Sequence, residues 1–310
     1  RGDEFRPVPR GRYFSPGRDG LGDGRRQMSP ADPDAYPRRP ARNPNRFATI
    51  VLAVLVILLA VARLPHLTGP IDDPHSWRQC DTAHYALTFV EEGIDLLHPS
   101  VCWMGAYRHV LLEFPLPEAV MALAMRAFGP NLAAARVVTL VFFLTGAVFL
   151  FLLARRFFGI HAAVASVVVY GMSPSALFYS RAVHIDYPAL ALALVMLFGF
   201  IEAYTRGSWS WAVAACAAGA LANLIKAPYA FSLALPLIGW MVLRFDRRGF
   251  LRILVLLLLT TVPFLLWRVH VGAVNAAAPD WDFLPGYMKF DGMRHWYFGD
   301  FEYRLAVDHW

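Results

Sequence analysis

The chain has 310 residues, of which 57% are hydrophobic and only 17% charged, with a mean hydropathy of +0.42; a soluble domain carries about 25% charged residues. This composition excludes an ordinary soluble globular protein and points to a polytopic membrane protein. The formal charge of +6 lies mostly in residues 1–46, where eleven arginines face six acids, and three cysteines are too few for a zinc pattern or a disulfide scaffold.

Residues 1–45 are rich in Pro, Gly and Arg and poor in aliphatics. Such a segment cannot bury enough apolar surface to fold, and it reads as a disordered basic tail. Because it precedes a hydrophobic span, positive-inside topology explains its charge more simply than nucleic-acid binding. The tail is therefore expected in the cytoplasm, and no nucleic acid is expected as a partner. The chain starts on Arg1 and stops on Trp310 in a polar aromatic stretch, so a longer natural protein is expected.

Phe47 to Ala62 is an unbroken apolar run between Arg46 and Arg63. It is short for a span of about 20 residues, and snorkelling arginines with Leu64 make up the difference. Ala60-Val61-Ala62 resembles a signal-peptide cleavage site, but the long leader and the many later spans argue against one. Residues 64–112 form the first large loop. Within it, Asp81 to Glu92 reads as a short helix ended by Gly93, with Asp81, His84 and Thr88 on one face and Tyr85 and Phe89 on another, an amphipathic helix on a membrane surface. Residues 114–128 contain Pro115, Pro117, Glu118 and Arg126 and are too few to span; they read as a second interfacial helix.

Further spans are expected at about 133–154, 161–179, 187–205, 209–225, 228–243 and 250–269, seven with the first. With a cytoplasmic N-terminus, the inner turns carry Arg155, Arg156, Arg206, Arg244, Arg247, Arg248 and Arg252, as the positive-inside rule requires. Beyond the tail only Glu202 and Asp246 among the acids fall on that side. The expected fold is an all-α polytopic transmembrane helix bundle with a large extracytoplasmic first loop carrying interfacial helices, and residues 46–310 form its domain. Beyond 270 the chain is external and aromatic, with Trp281, Trp296, Trp310, Tyr287, Tyr297 and Tyr303.

The chemistry-bearing stretch is Asp72 to Ala86, which packs three Asp, two His, an Arg and a Trp beside the first span. Asp81 is the candidate general base; the competing reading is a helix N-cap. Arg78, His84, Arg181 and Lys226 are candidate anion binders, with interfacial snorkelling as the alternative for the last two. Glu113 could bind a cation or favour a helix start, and Asp186 could be a cap. Cys80 and Cys102 share the external loop, where disulfide and free thiols both stay open. No charge lies mid-span, where transporters keep ionisable residues. A transporter or flippase of a lipid-linked glycan, and a non-enzymatic scaffold, remain the alternatives to an enzyme.

With these residues placed, the chain resembles GT-C type membrane glycosyltransferases, and more narrowly the bacterial protein-mannosyltransferase and aminoarabinose-transferase superfamily. Asp81-Thr82-Ala83-His84-Tyr85-Ala86 resembles its D-E-x-R-Y-A motif, with Thr82 and His84 departing from it. His75-Ser76-Trp77-Arg78-Gln79 resembles a subgroup version of the loop before it. Glu113-Phe114-Pro115-Leu116 resembles the next motif, with Phe114 in place of a lysine. Leu153 to Gly159 resembles the end of the second span, Asp186-Tyr187-Pro188-Ala189-Leu190 the M-D-x-P-L turn, and Leu224-Ile225-Lys226-Ala227-Pro228 the T-K-G-P turn.

The resemblance implies a bacterial plasma-membrane enzyme that transfers a hexose or pentose from a polyprenyl-phosphate donor, with inversion, to a glycan, lipid or protein hydroxyl on the extracytoplasmic face. It implies Asp81 as catalytic base, and Arg78, His84, Asp186, Arg181, Lys226 and His75 as substrate-binding residues. It also implies a divalent metal held by Glu113 and a histidine such as His295.

Overall fold

The computed structural model describes residues 44–71, 76–102, 108–109 and 111–277. The tail up to residue 43, Asp72, Asp73, His75, His295 and the aromatic stretch beyond 277 lie outside the described residues.

Nine helices follow one another among the described residues: α1 (Pro44–Val61), α2 (Ser76–Glu91), α3 (Leu116–Phe128), α4 (Leu132–Met172), α5 (Pro174–Tyr179), α6 (Asp186–Arg206), α7 (Trp209–Leu243), α8 (Arg247–Leu259) and α9 (Val262–Ala276). A 3₁₀ turn, Leu64–His66, follows α1. Extended pairing among the described residues is limited to one isolated bridge, Ser100 with His109. The fold is all-α.

Among the described residues, five stretches are long and apolar enough to cross a membrane: Asn45–His66, Leu132–Met172, Asp186–Arg206, Trp209–Leu243 and Arg247–Ala276. Two of them double back. A straight helix would hold Phe143 and Tyr170 about 40 Å apart, yet in α4 their rings stack at 4.9 Å and the Tyr170 hydroxyl donates to the Phe143 carbonyl at 3.2 Å. The reversal falls at Gly159, whose φ of 84° lies in the left-handed region that glycine adopts without a Cβ penalty. In α7, Trp211 packs on Phe198 and Trp240 on Tyr204, at centroid distances of 5.5 and 5.3 Å, so both arms meet the same end of α6. This reversal falls at Lys226, which is non-helical, two residues before Pro228. Counting both arms of α4 and of α7, and α8 with α9 as one, gives seven membrane-length or near-length arms.

The main core lies between α6 and α7 and is built on small residues, among them Ala193, Ala203, Ala212, Ala215, Ala218 and Ala222. Small side chains let helices approach closely in an apolar medium. A Cβ on Gly199 would stand 2.9 Å from that of Ala215, so this contact tolerates no side chain. α1 packs mainly on α4 and leaves Ile50, Val54, Ile57, Leu58 and Val61 exposed, a face suited to lipid.

One end of the bundle is fastened by charge. Buried Glu202 binds both Arg156 and Arg206. Arg155 reaches Asn45 at 2.9 Å, and Arg252 donates to the Ala203 carbonyl at 2.6 Å. The opposite end carries α2 and α3, which pack together through Phe89, Ala119 and Ala122 and rest on the first turns of α4 through Ala83, Ala86, Met121 and Met125. α2 begins at Ser76, five residues before the start read from sequence. Nothing between Ser76 and Cys80 breaks a helix, and Pro74 stands just before it. Asp81 therefore sits in the second turn and is not a cap.

Candidate active site

The site is built on residues 111–115, a stretch with no regular structure of its own. Asn275 on α9 receives the Leu111 N–H at 3.0 Å and donates back to its carbonyl at 2.7 Å. The Trp267 indole donates to the Leu112 carbonyl at 3.2 Å. Pro228 has no N–H, so the Leu224 carbonyl one turn earlier has no helical donor; the Phe114 N–H takes it at 3.2 Å. Four backbone groups of this stretch are thus satisfied from α7 or α9, which fixes the segment that carries Glu113.

Glu113 meets α2 through Arg78, with Nη2 to Oε2 at 2.6 Å. Burial alone would lower the Arg78 guanidinium, but the Glu113 carboxylate more than offsets it and holds Arg78 above its ordinary value. Beside this pair lies a small cleft lined by Arg78, Thr82, Tyr85, Leu112, Glu113 and Glu118. Glu118, in the first turn of α3, is buried, and its Oε2 has no hydrogen-bond partner. Burial pushes its carboxyl up to about 8, against the pull of Arg78. Asp81 is half-buried one turn from Arg78. Burial raises its carboxyl above the usual range, opposed by the charges of Arg78 and His84. No hydrogen bond to its carboxylate is formed among the described residues.

A second cluster forms where α6 starts and α7 breaks. Asp186 accepts from Lys226 at 2.5 Å through Oδ1 and faces His184 Nδ1 at 3.0 Å through Oδ2. Arg181, half-buried in the turn before α6, makes no ion pair among the described residues. The two clusters are joined by the Phe114–Leu224 bond, by Leu116 packed on Ile185 and Ile225, and by the Val183 N–H held on Gln79 Oε1 at 3.2 Å.

The structure thus brings Arg78, Asp81 and Glu113 together, and separately Asp186 and Lys226 with His184. His84 points elsewhere: its Nε2 accepts from the Cys102 N–H at 3.0 Å, so it meets the 100–102 loop and not the cleft. Cys80 and Cys102 are both free. Glu113, read from sequence as a metal ligand, is engaged by Arg78, and no group of three or more metal-ligating side chains forms among the described residues. His295 and His75 lie outside the described residues.

Glu118, Arg63 and Arg136 were not singled out by the sequence as site residues. Arg63, 1% exposed, donates to Ser180 Oγ at 2.7 Å and to the Gly171 carbonyl at 2.6 Å, and lies 4.4 Å over the Phe143 ring. Arg136 gathers the carbonyls of Leu67, Gly69 and Pro70, tethering the chain just ahead of the Asp72 loop. The one signal available for Glu118 was an acid inside an otherwise apolar helix.

The profile of the family described as dolichyl-phosphate-mannose-protein mannosyltransferase matches residues 113–267, half of the chain. The chain belongs to this family. It is thereby of the GT-C membrane glycosyltransferase type. The matched region opens on Glu113 and closes on Trp267, whose indole holds the carbonyl of the neighbouring Leu112. The crystal structure of ArnT from Cupriavidus metallidurans in the apo state is similar with a TM-score of 0.54 at 20% identity, over 77% of this chain and 44% of that one. The likeness is one of fold, and this chain spans less than half the length of that protein. No curated protein sequence matches.

Proposed function

We propose that this family member transfers a sugar from a polyprenyl-phosphate donor to an acceptor hydroxyl at the extracytoplasmic membrane face. The observation that carries the reading is a raised carboxyl, Asp81, beside Arg78 on α2, with the separate Asp186–Lys226 pair joined to that cluster through the Phe114–Leu224 bond, at the end of the bundle opposite the arginine-rich turns.

Asp81 accepts the proton of the acceptor hydroxyl as its oxygen attacks the anomeric carbon. The bond from that carbon to the phosphate oxygen breaks, and its electron pair stays on the lipid phosphate. Arg78, Arg181 and Lys226 neutralise the charge that develops there. Attack from the side opposite the phosphate inverts the anomeric centre. Glu113 keeps Arg78 oriented until the phosphate competes for it. Because Glu113 is occupied in this way, no step passes through a metal; the divalent ion implied by the family resemblance would have to displace Arg78. The lipid tail lies against the exposed apolar helix faces, and the acceptor is a glycan, lipid or protein hydroxyl.

The test is to give membranes containing the full-length protein a set of radiolabelled polyprenyl-phosphate sugars and follow the label. The reading expects label covalently attached to a non-prenyl acceptor, and none with Asp81→Asn. Intact donor moved across the membrane, with no transferred product, would establish a flippase instead.

A further inference from the structure

Glu118 is the acid that the transfer chemistry leaves unused. It is 6% exposed and shares with Arg78, Thr82, Tyr85 and Glu113 a cleft of about 10 Å³, room for one water-sized group. Its Oε2 is buried without a hydrogen-bond partner among the described residues. As a carboxylate, that atom would be an uncompensated buried charge. As a carboxylic acid, the group has one O–H to donate. The charged and titratable groups facing it among the described residues are Arg78 and Tyr85 on α2 and Glu113 on the 111–115 segment. Glu113 already neutralises Arg78, and no other cation among the described residues lines the cleft to hold Glu118 as an anion.

We propose that Glu118, as a carboxylic acid, binds the phosphate of the lipid-linked donor, its O–H donating to a phosphate oxygen that enters the cleft beside Arg78. This rests on the polyprenyl-phosphate reading above. A single oxygen matches the size of the cleft. A neutral donor holds an anion without adding a competing charge. As the sugar–phosphate bond breaks and its electron pair settles on the phosphate, the hydrogen bond strengthens while the proton stays on Glu118. Once ionised, Glu118 has no proton to give and repels the phosphate. The Asp81 base and the Glu118 acid then both act near the same arginine with opposite protonation states, each in the form its task needs.

The experiment measures binding of polyprenyl phosphate to the purified full-length protein in nanodiscs at pH 7 and pH 9, where the lipid phosphate is in one ionisation state. The wild type is expected to bind about tenfold more weakly at pH 9, because about one molecule in ten keeps Glu118 protonated there. Glu118→Gln keeps a donor and no titration, so it should bind at pH 7 within about threefold of the wild type and show no fall at pH 9. Glu118→Met fills the same space without a donor; it should bind about tenfold more weakly at pH 7, again without a pH step. The same fall in Glu118→Gln as in the wild type, or wild-type affinity in Glu118→Met, overturns the proposal. A wild type that binds equally at both pH values also overturns it while leaving the donor reading intact. A wild type that binds polyprenyl phosphate at neither pH removes the donor reading and the proposal together.

Discussion

Lys226 Nζ stands 2.5 Å from Asp186 Oδ1, so the cation at the break of one helical hairpin is neutralised by the acid that opens the preceding helix. The pairing follows from the break itself. Lys226 leaves helical geometry ahead of Pro228, and the carbonyl that Pro228 cannot serve is taken by Phe114. One helix defect therefore places a lysine on Asp186 and anchors the segment that carries Glu113.

The first prediction concerns that pair. The side chains are 34% and 20% exposed, so solvent weakens the interaction relative to a fully buried pair. Lys226→Met and Asp186→Asn should each lower thermal stability in detergent. The double variant should lose less than the sum of the two, with a coupling of about 1 kcal/mol. Strict additivity would show that the contact carries no energy.

Asp81→Asn should reduce transfer about 10²- to 10⁴-fold, the usual contribution of a general base. Its unfolding temperature should stay near the wild-type value, because Asp81 neither caps α2 nor receives a hydrogen bond among the described residues. Since burial raises its carboxyl, wild-type activity should fall as pH drops through a range above that of an ordinary aspartate. Near-normal turnover in Asp81→Asn would move the base to another acid, with Asp186 first in line.

Glu118 predicts the pH dependence of stability. Its carboxyl titrates near 8 when folded and near 4.5 when unfolded. Between those values the folded state holds the proton that the unfolded state has lost, so this group's stabilisation is complete below about 4.5 and declines as pH rises to about 8, by at most about 1.4 kcal/mol per pH unit. Glu118→Gln should remove that component. Denaturation of both proteins at pH 5, 6.5 and 8 measures it, and parallel curves would show that Glu118 is ionised throughout.

The orientation of the bundle is open to labelling. The end carrying α2 and the site should face outward, as the arginines at the other end require. Natural Cys80 and Cys102, both exposed and free, should react in intact cells with a membrane-impermeant maleimide without prior reduction. A cysteine at Arg155 or Arg248 in a Cys80→Ser, Cys102→Ser background should react only after the cells are opened. External labelling at Arg155 would invert the topology. Labelling of Cys80 and Cys102 only after reduction would mean that the two are bonded outside the cell.

Much of the architecture was legible from composition and breakers alone. Runs of apolar residues this long leave only helices as a way to satisfy the backbone in lipid, and the turns at Gly159 and Pro228 stand out because glycine tolerates positive φ and proline lacks a donor. The two acids Asp81 and Glu113, and Arg78 and Lys226, were visible as charges that an apolar chain does not carry idly. Which of them meet was not. Arg78 and Glu113 are 35 residues apart, and Asp186 and Lys226 are 40 apart; their pairing depends on where two hairpins bring separate chain segments. The sequence likewise showed Arg63 only as a flank of the first span, yet it is sealed against the Gly171 carbonyl of α4 and the Ser180 hydroxyl. Glu118 read as one polar residue in an interfacial helix, and only the packing of α2 over α3 buries it. Hydrophobic pattern and backbone chemistry are local and can be read in order along the chain. The protonation and partners of a side chain depend on what surrounds it, and that the tertiary structure decided.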